Sequence, residues 1–207
     1  MGEKMASRVE EYDKEILFYA KKEFLEKGFS DASLRTIAQN AKVSTSTIYT
    51  RYLNKEGLFR YLVEPASKGM TEYIYSSLNA FESLDKSEQK EKRVEYSDDG
   101  FPGLIDIIYE YYDEFKLLVT CSPNNFYHDF LETIVDIDME CMKKFLESVG
   151  SEAYANGEIT EGFIHVVSSA FYSGIFEVVI HDMPREEAET YINKLRRFYD
   201  NGWKDYF

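Results

Sequence analysis

Cysteine, tryptophan and proline are scarce in this chain of 207 residues, which has two Cys, one Trp and four Pro. The two cysteines, Cys121 and Cys141, show no metal-like spacing, and residues 1–8 are polar and do not resemble a secretory leader. No apolar run approaches the roughly 20 residues that span a bilayer. We therefore expect a cytoplasmic protein with reduced thiols and no membrane partner.

Common catalytic motifs are also missing. The chain has no Gly-x-Ser-x-Gly elbow, no phosphate loop of the Gly-x-x-x-x-Gly-Lys type and no Gly-x-Gly-x-x-Gly. Glu177 and His181 are spaced i, i+4 and could share a metal ion, but two ligands are too few, and His128 and His165 are isolated. We predict no catalytic residue, metal or cofactor, and a helical metal-binding enzyme stays as an alternative class.

Acidic charge dominates, but it is unevenly distributed. The formal net charge of −14 argues at first against nucleic acid as a partner. Residues 1–60 nevertheless carry eleven Lys and Arg against nine Asp and Glu, and residues 28–60 carry five against two. A small basic segment attached to an acidic body suggests that the two parts have different partners.

Hydrophobic periodicity near 3.6 residues runs through the whole chain, and almost nothing alternates with period 2. The pattern predicts an all-α protein, with Gly28 ending the first helix and residues 85–100 forming a loop or a poorly ordered connection. The later helices are predicted over 34–40, 45–53, 55–63, 66–84, 103–121, 124–149, 159–182 and 185–203.

The stretch Val43–Leu58 reads VSTSTIYTRYLNKEGL and is unusually rich in small hydroxyls. Counting about 100° per residue, Ile48 and Tyr52 fall on one side of a helix. Ser46 and Thr50 fall on the opposite side, flanked by Tyr49. Two short helices joined by a tight turn describe a helix-turn-helix, whose second helix would offer this hydroxyl face to a major groove.

Capping explains part of the same pattern. Ser33, Ser44 and Asn54 are each placed to cap a helix, and hydroxyl-rich helix starts often do nothing more. Lys55 stands in the first turn of the following helix, where a cation is unfavourable unless an anion such as a DNA phosphate lies nearby. Arg51 could equally pair with a neighbouring acid.

Residues 33–59, SLRTIAQNAKVSTSTIYTRYLNKEGLF, closely resemble the DNA-binding region of the tetracycline-repressor (TetR/AcrR) family. The matching features include Ile37-Ala38, Val43-Ser44, Ile48-Tyr49 and Lys55-Glu56. The resemblance covers about 50 residues. The family's turn glycine is replaced by Lys42, for which we expect left-handed strain on the order of 1 kcal/mol.

The resemblance implies a three-helix DNA-binding domain over residues 1–60 and a helical-bundle domain for dimerisation and effector binding over 61–207. It implies that the helix start at Ser33 with Thr36, Tyr49 and Lys55 contact phosphates, and that Thr45, Ser46 and Thr50 meet base edges. The full predicted DNA-binding set is Ser33, Thr36, Lys42, Ser44, Thr45, Ser46, Thr47, Tyr49, Thr50 and Lys55.

The acidic body is predicted to dimerise through its last two helices and to bind an unknown small-molecule effector. Aromatic residues alternate with carboxylates over 103–149, a combination that could hold a lipophilic cation or could be an ordinary solvated helix face. The candidate ligand residues are Tyr109, Tyr112, Phe115 and Phe130.

The sequence thus predicts a dimeric regulator of transcription that binds a palindromic operator in double-stranded DNA. By resemblance it is a repressor released by its effector, although nothing in the residues separates repression from activation. The alternative is a helical ligand-binding or interaction protein whose helix-turn-helix does not read DNA.

Overall fold

The computed structural model describes residues 2–89 and 103–206, and these residues form helices and connecting turns without a strand. This confirms the predicted all-α class. The helices are α1 (Gly2–Asp31), α2 (Leu34–Asn40), α3 (Thr45–Tyr52), α4 (Lys55–Glu82), α5 (residues 103–110), α6 (Tyr112–Thr120), α7 (Phe126–Val149), α8 (Glu152–Ala155), α9 (Glu161–Ile180) and α10 (Arg185–Trp203). A helical turn at residues 86–89 follows α4, and a 3₁₀ turn, Lys204–Tyr206, follows α10.

The chain divides into two compact units, and each is described by itself. Unit 1 runs to Ser67 and includes Tyr111–Phe126, whereas unit 2 comprises Lys68–Glu110 and the chain from Tyr127 onward. The division into functional domains at residue 60 stays a prediction.

Unit 1 is built around α1, which packs against α2 and α6, while α2 packs against α3. Phe24, Phe29 and Phe59 form an aromatic cluster, with ring centroids 5.3 Å apart for Phe24–Phe59 and 5.5 Å apart for Phe29–Phe59. Such pairs add to the stabilisation from burial alone. Gly28 interrupts α1 with a φ of 72°, a value that glycine adopts without penalty, as expected for the predicted stop.

A sharp turn joins α3 to α4. Leu53 adopts a positive φ of 66°, and the Asn54 side chain accepts a hydrogen bond of 2.7 Å from the Gly57 N–H. A Cβ atom at Gly57 would lie 2.0 Å from the carbonyl oxygen of Tyr52. The turn therefore requires glycine at residue 57, since the atom in the way belongs to the backbone.

Helix α4 is continuous through Pro65, so the predicted break between residues 63 and 66 is wrong. Proline inside a helix removes one hydrogen bond and costs about 3 kcal/mol. The residues around it offset that cost by burial, because Leu62, Val63 and Ala66 are at most 6% exposed.

Two other predicted boundaries also differ from the structure. The helix predicted over 103–121 is divided at Tyr111 into α5 and α6. Of the loop predicted over 85–100, residues 86–89 are helical and residues 90–100 lie outside the described part of the chain.

In unit 2, α9 and α10 pack closely at a glycine. A Cβ at Gly174 would lie 3.0 Å from a methyl group of Leu195, and the Tyr191 hydroxyl donates a 3.0 Å hydrogen bond to the Gly174 carbonyl. The small residues of α9 thus allow packing within one chain. At the end of α10, Trp203 is 7% exposed and packs in a cluster with Leu146, Ile159 and Ile164.

Helix α9 is long and apolar enough to cross a membrane by length and composition, with a mean hydropathy of 1.6. The sequence-based expectation that no segment approaches this length was therefore wrong. Core helices of soluble proteins pass the same test, and α9 contributes Ile164, Ile175 and Phe176 to the interior of unit 2.

The α3–α4 turn generates a stability prediction. We expect Gly57→Ala to lower the free energy of unfolding by more than about 2 kcal/mol, because the new methyl group overlaps a backbone oxygen. Gly69→Ala in the same helix is the matched control, since a Cβ there meets nothing within 4 Å. It should be neutral or stabilising by up to about 1 kcal/mol. Urea denaturation of both variants measures the difference, and equal stabilities would contradict the prediction.

Candidate functional site

Both helices of the helix-turn-helix begin with the predicted serine cap. Ser33 accepts a hydrogen bond of 3.3 Å from the Thr36 N–H, and Ser44 accepts one of 3.1 Å from the Thr47 N–H. The Ser33 N–H itself donates to the Glu23 carboxylate at 3.1 Å. Glu23 lies ten residues away on α1, and the sequence analysis did not identify it. These contacts fix the N-termini of α2 and α3.

The two sides of α3 are separated as the 100° count predicts. Ile48 is fully buried and Tyr52 is 6% exposed. Ser46, Tyr49 and Thr50 are exposed, Tyr49 retaining 50% of its surface. The predicted exposed face of α3 is therefore confirmed. Thr45 and Thr47, in the first turn, are partly exposed.

Hydroxyl groups on and beside this face bond to one another. The Ser44 oxygen lies 2.7 Å from the Ser46 hydroxyl and 2.8 Å from that of Thr47. The Thr50 hydroxyl donates to the Ser46 carbonyl at 2.9 Å, which leaves its oxygen lone pairs as the group it presents outward. We name the surface formed by Ser46, Tyr49 and Thr50 the α3 hydroxyl face.

Arg51 lies at the buried margin of α3 and pairs with an acid, one of the two roles considered for it. Its guanidinium bonds to Asp13 on α1, and the same carboxylate accepts a 3.0 Å hydrogen bond from the Tyr52 hydroxyl. Burial, followed by the Asp13 contact, raises the pKa of Tyr52 well above its usual range. This cluster ties α3 to α1.

Lys55 also has intramolecular partners. Its ammonium group donates to the carbonyls of Ser30 and Ala32 at 2.9 and 3.1 Å and lies 4.8 Å from the Phe29 ring centroid. Carbonyls at a helix end carry negative partial charge, so they supply the electronegative partner that the cation needs. The phosphate contact stays a prediction, and the structure gives Lys55 a role in fixing the end of α1.

The other basic residues between positions 28 and 60 differ in their surroundings. Arg60 lies over the Phe126 ring, 4.3 Å from its centroid. Arg35 on α2 and Lys42 in the turn are exposed. Lys42 has a φ of 55°, so the expected left-handed conformation is confirmed at the residue that stands where the TetR/AcrR pattern has glycine.

Residues 16–62 match the model of the bacterial regulatory proteins of the tetR family. The chain carries the N-terminal domain of the tetR family. This match spans the helix-turn-helix just described and supports a DNA-binding regulator of transcription. No curated protein matches the chain.

Solved structures of regulators, several of them described as TetR-family, share the fold over most of the chain. A TetR-like regulator from Rhodococcus sp. RHA1 is 17% identical with a TM-score of 0.58, covering 92% of this chain and 96% of its own. PfmR from Thermus thermophilus is 20% identical with a TM-score of 0.55, and the match covers 88% of this chain and 97% of PfmR. The fatty acid degradation regulator FadR from Bacillus halodurans is 16% identical with a TM-score of 0.55, covering 88% and 97%. At these identities the likeness shows the fold alone.

The histidines considered as metal ligands lie beside single carboxylates. His181 is 2.9 Å from Glu177, and His165 is 3.3 Å from Glu132, which also lies 4.0 Å from His128. Within residues 2–89 and 103–206, no group of three or more metal-binding side chains comes together. Each of these histidines therefore lies at ion-pair distance from one carboxylate on a helix surface.

The predicted ligand residues are divided between the two units. Tyr112 and Phe115 belong to unit 1, Phe115 being fully buried. Tyr109 donates its hydroxyl to the Met183 carbonyl at 2.7 Å, and Phe130 packs against Phe176. None of the four lines the cavity of about 220 Å³ that unit 2 contains. Ligand binding by these residues stays a prediction.

The turn residue provides a test of backbone strain. Lys42→Gly should raise the free energy of unfolding by up to about 1 kcal/mol, because glycine adopts a positive φ without a Cβ penalty. Lys42→Ala removes the same charge but keeps the penalty, so it should give no gain. Thermal and urea unfolding would measure the pair, and identical stabilities would show that residue 42 is not strained.

Proposed function

We propose that the protein regulates transcription as a homodimer, with α3 of each chain entering the major groove of a palindromic operator. The observation that carries this proposal is the exposed α3 hydroxyl face on a helix-turn-helix whose two helices have capped, fixed N-termini. Short hydroxyl side chains let a helix approach the groove closely and bond to base edges. The match of residues 16–62 to the tetR-family model supports the same interpretation.

Phosphate contacts in this proposal come from several sources. The N-terminus of α2 at Ser33 and Thr36 offers backbone N–H groups, and the Tyr49 hydroxyl offers a donor beside the groove. Lys42 and the exposed Arg35 supply the cations. Lys55, with Ser44 and Thr47, acts by holding the helix ends in position, while Thr45, Ser46 and Thr50 face the bases.

Dimerisation is proposed to use the exposed apolar side chains of α9 and α10. Val166 on α9 is 63% exposed and Phe198 on α10 is 75% exposed, and Phe163, also on α9, is 41% exposed. Val166 and Phe163 are spaced i, i+3 and share one side of their helix. Pairing these helices with their copies would give a four-helix bundle with two-fold symmetry.

Regulation is proposed to follow from two states of the dimer in the cytoplasm. The effector-free dimer spaces its two helix-turn-helix motifs for successive major grooves, and an effector bound in unit 2 favours a spacing that does not fit. By linkage, operator and effector weaken each other's binding by the same factor. Repression is the outcome that the TetR/AcrR resemblance implies.

The recognition role of α3 is tested by Tyr49→Ala. We expect operator affinity to fall at least tenfold, about 1.4 kcal/mol, with the far-UV circular dichroism spectrum unchanged. The operator is first selected from a random pool of duplexes, and affinity is then measured by fluorescence anisotropy. Tyr75→Ala is the control, because Tyr75 is a similarly exposed tyrosine, at 55% against 50%, that lies in unit 2. Unchanged affinity in the Tyr49 variant would refute the role of α3.

The dimer is tested by Phe198→Glu. A carboxylate placed in an apolar interface stays unpaired, so the variant should elute as a monomer of 24.2 kDa where the unmodified protein elutes at twice that mass. Size-exclusion chromatography with light scattering measures the mass. Phe18→Glu is the control, since Phe18 is 63% exposed on α1 of unit 1. A monomeric unmodified protein, or a dimeric Phe198 variant, would contradict the proposed interface.

A further inference from the structure

The cavity of unit 2 has a mostly apolar wall that includes several aromatic rings and a few charged groups. Its volume is about 220 Å³, and it is lined by residues of α4, α5, α7, α9 and α10. The aromatic rings at the wall include Phe81, Phe145, Phe171, Tyr172 and Trp203. Since a cavity of about 150 Å³ accommodates benzene, one of this size holds on the order of ten non-hydrogen atoms.

Asp138 is the carboxylate at this wall whose hydrogen-bond donors are neutral hydroxyls. The Ser168 hydroxyl donates to one carboxylate oxygen at 2.6 Å, and the Tyr172 hydroxyl lies 3.4 Å from the other. Asp138 keeps part of its surface accessible even though it lies deep in the unit, so that surface faces the cavity. Burial raises the pKa of Asp138, and the two hydroxyl contacts oppose the rise.

The other two charged groups at the wall pair with each other. Arg196 donates to the Asp200 carboxylate at 3.0 Å, one helical turn along α10, and it is 7% exposed. Because this pair is neutral as a unit, the formal charge left among the described residues of the cavity wall is that of Asp138. A buried carboxylate is costly unless a cation compensates it, and two hydroxyls compensate it only in part.

We propose that this cavity binds an organic cation, an ammonium group carrying an apolar substituent of about ten atoms, with Asp138 as the residue that recognises its charge. The ammonium group would sit against the accessible carboxylate oxygens, and the aromatic rings would surround the rest of the ligand. Rings that present their faces to an ammonium add a cation–π attraction to the contact with the carboxylate. This inference rests on the proposed function in one respect, because it identifies the cation with the effector proposed above and so gives that effector a chemical class.

A carboxylate ligand fits the same wall less well. The buried Nε of Arg196 could donate to it, but the charge of Arg196 is already balanced by Asp200, and the ligand would bring a second negative charge close to Asp138. Two carboxylates in one low-dielectric site repel each other unless one of them takes up a proton. The charge arrangement therefore favours cations over fatty-acid-like anions of the same size.

The test compares three probes that share one phenylbutyl group: 4-phenylbutylammonium, 4-phenyl-1-butanol and 4-phenylbutyrate. Calorimetric titration of the full chain at pH 7, without DNA, should show the ammonium binding at least tenfold more tightly than the alcohol, with the carboxylate weakest. Equal affinities, tighter binding of the carboxylate, or no detectable preference for the ammonium would overturn the proposal.

Two substitutions on α7 assign the preference to a residue. Asp138→Asn keeps the size of the side chain and an acceptor for Ser168, so it should reduce the ammonium-to-alcohol ratio to within about twofold. Asp136→Asn removes a charge from an exposed position two residues away and should leave the ratio unchanged. A preserved ratio in the Asp138 variant would overturn the proposal. If that variant does not fold, the comparison of the three probes on the unmodified protein decides.

Operator binding is measured separately, so the two proposals can fail independently. If 4-phenylbutylammonium binds through Asp138 without weakening the operator complex, the cation site stands and the effector mechanism fails. If the Tyr49 and Phe198 variants behave as expected but the ammonium shows no preference, the cation site fails and the regulator stands.

Discussion

The burial of Ile48 and Tyr52 in unit 1 determines which side of α3 faces outward. A helix of two turns has little stability of its own, so its rotation about the axis is set by its buried stripe and by its ends. Here the Ser44 cap holds one end, and the cluster of Arg51, Tyr52 and Asp13 holds the other against α1. The position of every hydroxyl on the α3 hydroxyl face follows from these contacts.

The basic residues of segment 28–60 serve mainly to stabilise unit 1. Arg51 is paired with Asp13, Lys55 bonds to two carbonyls at the end of α1, and Arg60 lies over an aromatic ring. Arg35 and Lys42 lie exposed beside the helix-turn-helix, and Arg60 keeps an exposed surface as well. Counting charges along the sequence therefore overstates the attraction of this domain for phosphate, since a charge count does not record which cations already have partners.

Sequence patterns predicted those structural features that depend on residues close together in the sequence. The caps at Ser33 and Ser44 and the exposed side of α3 were predictable, because each depends on residues within one or two helical turns. Contacts between residues far apart in the sequence were not predictable. The carbonyls that bind Lys55, for example, lie 23 and 25 residues away from it. Periodicity also does not say which aromatic residues share a cavity. The structure brings Phe145 to the cavity wall and places Phe115 in a packed interior, a distinction that only the folded chain reveals.

Trp203 is the one tryptophan of the chain, and it lies at the wall of that cavity with 7% of its surface exposed. Excitation of indole at the red edge of protein absorption therefore reports on this location alone, without interference from a second emitter. The emission wavelength and intensity of Trp203 fluorescence therefore depend on the hydration of the cavity and on whether a ligand occupies it.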